Sequence, residues 1–265
     1  IREFSALYAA FVAGVAPALA ELTIQYADYA HWQHERLSGD LLQRQLDYWR
    51  NQLDGIPAVH QLPLDHPRPP QQRFDGQSFT HRVGAYTLDA LNALALRHDA
   101  SLFMVLEGAF AALLARWSGE ADIVIGTPIA GRLHPDVEPL IGFFVNTLVL
   151  RNDLGDDPDF HRLLARTRQM ALDAYAHQEV PFETLAETLR PVRSLAHSPL
   201  FQVLFSMRNN EDVALELPGL RLDTVEARAD LCKFDLQLAA KEVSDGLELH
   251  WTWATSLFDQ ASMER

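Results

Sequence analysis

Apolar residues recur at helical spacing from the first positions of the chain. Phe4, Leu7, Tyr8 and Phe11 share one face, which predicts an amphipathic helix already under way at Ile1 and interrupted by Gly14 and Pro17. A second helical stretch is expected from about Glu21. Leu42, Leu46, Trp49 and Leu53 then follow at i, i+4, i+7 and i+11, a stripe that must bury against a partner, and Gly55-Ile56-Pro57 ends it. Residues 63–76 carry Pro63, Pro67, Pro69 and Pro70 among Arg, Gln and Asp, a composition that forms neither a helix nor a central strand. We read it as a linker between residues 1–62 and 77–265.

Beyond the linker the two periods alternate. Gln77 to Val83 alternates like a half-buried strand, and Thr87 is placed to cap a helix carrying Leu91, Leu94 and Ala95. Ser101 caps the next, whose Leu102, Leu106, Ala109, Phe110, Leu113, Leu114 and Trp117 make a wide core stripe. Asp122 to Ile125 reads as a buried strand. Asp157 before Pro158 is expected to start another helix, the acid at the cap and the proline at the first helical position. Phe201–Met207, Leu220–Val225, Phe234–Ala239 and Leu247–Thr252 supply further strands, and Ser256 to Asp259 the start of a last helix. Such mixing implies an α/β layer with helices against a sheet.

Composition narrows the function classes. With 48% hydrophobic residues over 265 positions a sizeable core is expected, and the net charge of −14 without a basic run argues against nucleic acid or an anionic membrane as partner. No apolar stretch reaches the roughly 20 residues needed to span a bilayer. Cys232 is the only cysteine, so no internal disulfide forms and a cytoplasmic location is the easier reading. His31, His34 and Glu35 share a helix face but lack a His-Glu-x-x-His spacing or a third ligand, so no metal site is expected. Neither a Gly-x-Ser-x-Gly elbow nor a phosphate-binding glycine loop occurs.

The stretch Ile141-Gly142-Phe143-Phe144-Val145-Asn146-Thr147-Leu148-Val149-Leu150-Arg151 organises the rest. It reads as a loop entering a strand. Gly142 removes a side chain where something else must pass, and of Phe143 and Phe144 one packs inward while the other borders a cleft. Asn146 and Thr147 either hydrogen-bond a ligand or satisfy local backbone groups and fix the loop.

This stretch resembles the Gly-x-Phe-Val-Asn-Thr signature of condensation domains of nonribosomal peptide synthetases, within the chloramphenicol acetyltransferase-like superfamily. Five more segments match in the family's order. They are Tyr26-Ala-Asp28-Tyr29-Ala-His-Trp32, Gly126-Thr-Pro128-Ile-Ala-Gly131-Arg132, His177-Gln178-Glu179-Val180-Pro181-Phe182-Glu183, the segment from Arg193 to Ser198-Pro199-Leu200-Phe201, and Lys233-Phe234-Asp235-Leu236. Glu179 stands where the family more often has aspartate, and Ser194 and His197-Ser198 also depart from its pattern.

The resemblance implies a two-lobed sandwich, here the end of the N-terminal lobe plus most of the C-terminal lobe. It also implies amide formation between a donor acyl or peptidyl thioester and an acceptor aminoacyl thioester. The substrates ride on the phosphopantetheine of carrier domains, with an adenylation domain on the same polypeptide and no cofactor bound directly. The family's His-His-x-x-x-Asp-Gly motif is not in the sequence and is expected upstream of Ile1, so no catalytic residue is assigned. The chain thus reads as a fragment cut at both ends and inactive alone. Gly142, Phe143, Asn146, Thr147, His177, Gln178 and Pro181 are the expected substrate-binding or channel-lining residues. Asp28, Arg132, Arg151, Glu183, Arg193 and Asp235 are expected in structural or interlobe roles, Asp28 pairing with Arg132 or Arg193. A related acyltransferase or epimerisation domain, and a non-catalytic module that binds a carrier, are the alternatives. The Asn146-Thr147 pair favours condensation over epimerisation.

Overall fold

The computed structural model describes residues 1–189, 194–208, 215, 217–223 and 230–265. Three helices come first, α1 (Arg2–Ala13), α2 (Tyr26–Arg36) and α3 (Gly39–Gln52), followed by an irregular segment into β1 (Asp75–Gly84). Then come α4 (Ala85–Arg97), α5 (Leu102–Ser118), β2 (Asp122–Ile129), β3 (Asn146–Asp153), α6 (Phe160–Ala176), α7 (Phe182–Leu189), β4 (Val203–Arg208), β5 (Asp230–Leu231), β6 (Leu236–Val243), β7 (Gly246–Ala254) and α8 (Gln260–Met263). The mixed α/β architecture is as the periodicity predicts.

Among the described residues one sheet runs in the order β3-β2-β4-β6-β7-β1-β5. Only the β2–β4 and β4–β6 pairs are parallel. In β2 the successive residues Ile123, Val124 and Ile125 are all buried, because both faces of the sheet are covered. Ile123 and Ile125 join the cluster that contains Phe110 and Leu114 of α5, whereas Val124 joins the cluster with Leu46 and Trp49 of α3. The stripe on α3 is thus buried as expected, against β3 and α7. By contrast α1 and α2 have no fully buried residue, and Phe4, Leu7 and Phe11 lie exposed.

Several boundaries move. The first helix spans Arg2–Ala13, the Ile1 carbonyl already accepting a helical bond from the Ser5 amide at 2.9 Å. Helix α2 begins five residues after Glu21, because Gln25 and Asp28 form its capping box, the Asp28 carboxylate accepting from the Gln25 amide at 2.8 Å. Gly84, not Thr87, caps α4, the strand feeding straight into the helix. Helix α6 starts at Phe160 because Asp159, not Asp157, accepts from the Arg162 amide at 2.8 Å, while Asp157 sits in a left-handed turn at φ 46°. Ser101 does cap α5, accepting from the Met104 amide at 3.3 Å. Residues 220–223 form no strand, and 224–225 lie outside the described residues. No described helix is by itself long and apolar enough to cross a membrane.

The irregular segment before β1 is fastened to the sheet. His60, buried at the edge of β2, takes a hydrogen bond from the Val124 amide at 2.9 Å and holds Glu120 through its other nitrogen at 2.9 Å. Gln202 accepts from the His60 amide and donates to the carbonyls of Ala58 and Ser198. Arg68 forks onto the buried Asp235 carboxylate, one bond measuring 2.8 Å.

Candidate functional site

Four sequence-distant segments converge on one cavity of about 180 Å³: α2, the loop that includes Gly131 and Leu133, residues 143–146, and the turn 178–183. The same segments carry four of the motifs singled out in the sequence. Helix α2 roofs the cavity with Tyr26, Tyr29 and Trp32. Tyr26 lies flat on Gly142, where an added Cβ would come within 2.2 Å of the ring, and its hydroxyl donates to the Phe143 carbonyl at 2.9 Å. The missing side chain of Gly142 therefore makes room for Tyr26. Gly131 has φ 65°, and a Cβ there would strike the Phe144 carbonyl oxygen at 1.9 Å, so both glycines let the loop close on itself.

The two phenylalanines divide as expected. Phe144 is buried, edge-on to Tyr26 (centroids 5.2 Å apart) and tilted against Tyr29 (4.7 Å), while Phe143 is 76% exposed at the rim. Arg132 lies 4.1 Å from the Phe144 ring centroid and donates to the carbonyls of Val137, Glu138 and Leu140. It is spent on shaping this loop. No Asp28–Arg132 ion pair forms, since Asp28 caps α2, and Arg193 lies outside the described residues.

Asn146 has both donors and both acceptors in use. Its amide nitrogen donates to the carbonyls of Gln178 (3.0 Å) and Val180 (2.8 Å), and its oxygen accepts from the amides of Thr147 (2.8 Å) and Phe182 (2.9 Å). A primary amide has no further strong capacity. Of the two roles open in the sequence, these bonds are those of a clip: Asn146 ties the start of β3 to the turn before α7. His177 is likewise structural. Its Nδ1 donates to the Asp173 carbonyl at 2.8 Å, its ring stacks on Tyr48 at 3.9 Å, and its carbonyl accepts from the Trp49 indole at 2.9 Å. Burial pushes the Tyr48 hydroxyl up to about 12, with the Asp173 charge adding to it, so it stays protonated.

Gln178, Pro181 and Glu183 line the cavity, and Thr147, on β3 opposite Pro128, does not. Glu179, marked in the sequence only as a departure from the family's pattern, proves central: it pairs with Arg36 at the far end of α2 at 2.7 and 3.2 Å and lines the cavity as well. Arg151 and Asp235 lie elsewhere. Arg151 forks onto Asp122 at 2.9 and 2.8 Å and donates to the carbonyls of Gln52 and Asp54, locking the end of α3 to the β2–β3 pair. Asp235 meets Arg68 in the pair described above. His31 and Glu35 pair with each other on an exposed face at 3.4 Å.

Besides His60, sequence reasoning missed a buried carboxyl group. Glu107 of α5 is fully buried, receives the Asn152 amide of β3 at 2.7 Å, and leaves its second oxygen unpartnered. Burial raises its pKa from 4.5 to about 7, against the opposing pull of Asn152. Its place within a long apolar stripe was the one available signal.

A family model described as "Condensation domain" matches residues 1–265. The chain is 47% identical over 265 residues to malpinin synthetase of Mortierella alpina and 41% over 265 residues to tyrocidine synthase 3 of Brevibacillus parabrevis. It is covered completely in both comparisons, yet spans only 3% and 4% of those proteins. Among solved structures, the X-domain in the complex of the X-domain and OxyB from teicoplanin biosynthesis superposes with a TM-score of 0.90 at 33% identity, over 99% of this chain and 60% of that one.

Proposed function

We propose a function from one premise: the chain belongs to the condensation-domain family of nonribosomal peptide synthetases. In our reading it is part of a domain that forms an amide between a donor acyl or peptidyl thioester and an acceptor aminoacyl thioester. Both substrates are delivered on the phosphopantetheine of carrier domains in the same cytoplasmic polypeptide, beside an adenylation domain. The observation that carries this reading is the convergence of four distant segments on one cavity, each of them matching a family motif.

Such a domain must hold an amine near a thioester carbonyl, accept a proton, and steady the oxyanion. The described residues contribute the first of these. The aromatic roof and the clip at Asn146 shape a recess with aromatic walls and acidic side chains in its lining. No residue of this sequence is assigned the basic role, since the His-His-x-x-x-Asp-Gly motif does not occur in it. With all four of its bonds taken, Asn146 is not the residue that holds the phosphopantetheine arm. The division at residues 63–76 belongs to the same proposal, with residues 1–62 completing the N-terminal lobe.

The test is amide formation with two loaded carrier domains, read by mass spectrometry. A polypeptide joining this chain to a segment that bears the histidine motif should form product, and the 265-residue chain alone should not. Product from the 265-residue chain would overturn the need for that motif, and none from a longer chain bearing it would overturn amide formation. The likeness to an X-domain solved with OxyB favours a second reading, a non-catalytic module that binds a partner protein. That reading takes over if the longer chain binds a partner but makes no amide.

A further inference from the structure

The cavity beneath α2 has aromatic walls and, among the described residues, charges of one sign. Tyr29, Trp32, Phe143 and Phe144 line it, and the only charged side chains lining it are Glu179 and Glu183. The two nearby cations are already engaged. Arg36 forks onto Glu179 and stands over the Trp32 ring, 5.4 Å from its centroid, and Arg132 stands at Phe144 with its guanidinium on backbone carbonyls. Since Asn146 is saturated and Glu179 is paired, Glu183 at the exposed rim is the charged group left to meet a guest, with Gln33 as an uncharged neighbour in the lining.

Electrostatics agree with this geometry. The Tyr29 pKa is raised, first by burial and then by its neighbours Tyr26 and Glu179, with Arg132 opposing. Aromatic faces and a carboxylate both attract an ammonium ion. At about 180 Å³ the space exceeds the roughly 150 Å³ that admits a benzene ring in an engineered protein cavity. Leu133, Phe143 and Val145 at its mouth are 52%, 76% and 54% exposed, so the site is open to solvent.

We propose that this cavity binds a primary ammonium group carried on a single-ring or branched apolar body, with Glu183 as its charge partner and the rings of Tyr29 and Phe143 as its walls. The inference rests on the amide-forming reading for its natural ligand, which would be the amine-bearing end of an aminoacyl group with an apolar side chain.

The 265-residue chain is titrated by calorimetry with 2-phenylethylamine and with its neutral and anionic counterparts, 2-phenylethanol and 3-phenylpropionate. The amine should bind about tenfold tighter than the alcohol, and the propionate weakest. Glu183→Gln, at an exposed position, should bring the amine down to the level of the alcohol. Leu133→Trp, which fills the mouth, should weaken amine and alcohol alike, with circular dichroism confirming both folds. Equal binding of the three probes, no binding of the amine, or an unchanged amine affinity in Glu183→Gln overturns the proposal. The longer polypeptide separates the two readings. If Glu183→Gln loses amine binding but keeps full amide formation with an apolar acceptor, the substrate role of the cavity falls and the condensation reading stands. Amine binding as expected without any amide product would leave the cavity and remove the reaction.

Discussion

The two walls of the cavity are held by opposite means. On the sheet side β3 is buried, with Leu148, Val149 and Leu150 each 1% exposed, and each end is fixed by an asparagine, Asn146 to the turn before α7 and Asn152 to Glu107. On the other side α2 has no fully buried residue and is held by Tyr26 and Tyr29 on the loop around Gly142 and Phe144 and by Arg36 on Glu179. Buried polar bonds in a dry core resist opening, whereas exposed ones exchange readily with water. The β3 wall sets the shape of the recess, and the α2 wall is the one able to adjust to a guest.

The largest expected effect lies at the buried end of β3. Glu107 has a folded-state pKa of about 7 against an ordinary 4.5, so it stays protonated in the fold where the unfolded chain has already ionised. Below pH 4.5 both states hold the proton. As pH rises from 4.5 to 7 the unfolded chain releases it and stability falls, and above pH 7 the loss is complete at about 3 kcal/mol. Glu107→Gln removes this dependence. Urea unfolding of both proteins at about pH 5 and about pH 8 should show the variant gaining on the wild type by most of that amount. A constant gap between the two would mean that Glu107 ionises alike in the folded and unfolded states, so that burial does not raise its pKa.

Next comes the exposed end of the same strand. Asn146→Ala leaves the carbonyls of Gln178 and Val180 and the amide of Phe182 without their partner. At about 1 kcal/mol net per bond, with water replacing some of them, a loss of about 2–3 kcal/mol is expected. The variant should also bind 2-phenylethylamine more weakly, because the turn bearing Glu179 and Glu183 is released. If stability drops while amine binding holds, the turn keeps its place without the clip, and the sheet side does not set the shape of the recess.

What the sequence disclosed and what it withheld follow the range of the interactions. The stripe Leu42-Leu46-Trp49-Leu53, the cap at Ser101 and the loop-to-strand reading of residues 141–151 are local patterns, and all three are found. Helix starts slipped at Glu21, Thr87 and Asp157, where neighbouring residues were each able to cap and only backbone geometry chooses. The pairings Arg68–Asp235, His60–Glu120 and Glu107–Asn152 bridge 167, 60 and 45 residues and leave no periodic trace. Of the site, the four lining segments were legible through their resemblance to a family. The role of Asn146 was legible only as one of two alternatives, and Glu179 as a charge partner not at all.

The smallest expected effect tests the adjustable wall. Arg36→Met removes the fork onto Glu179 at the end of α2, in a pair whose arginine is 45% exposed and whose hydrogen bonds compete with water. The unfolding midpoint should stay within error of the wild type. Hydrogen exchange in α2 should nonetheless quicken relative to β3, since a helix without buried residues has little else to hold its end. Removing the arginine also frees the Glu179 carboxylate inside the cavity, so the amine probe should bind somewhat more tightly and that gain should fade with added salt. Weaker amine binding in Arg36→Met would reverse the assignment, making the fork a necessary part of the recess and α2 a fixed wall like β3.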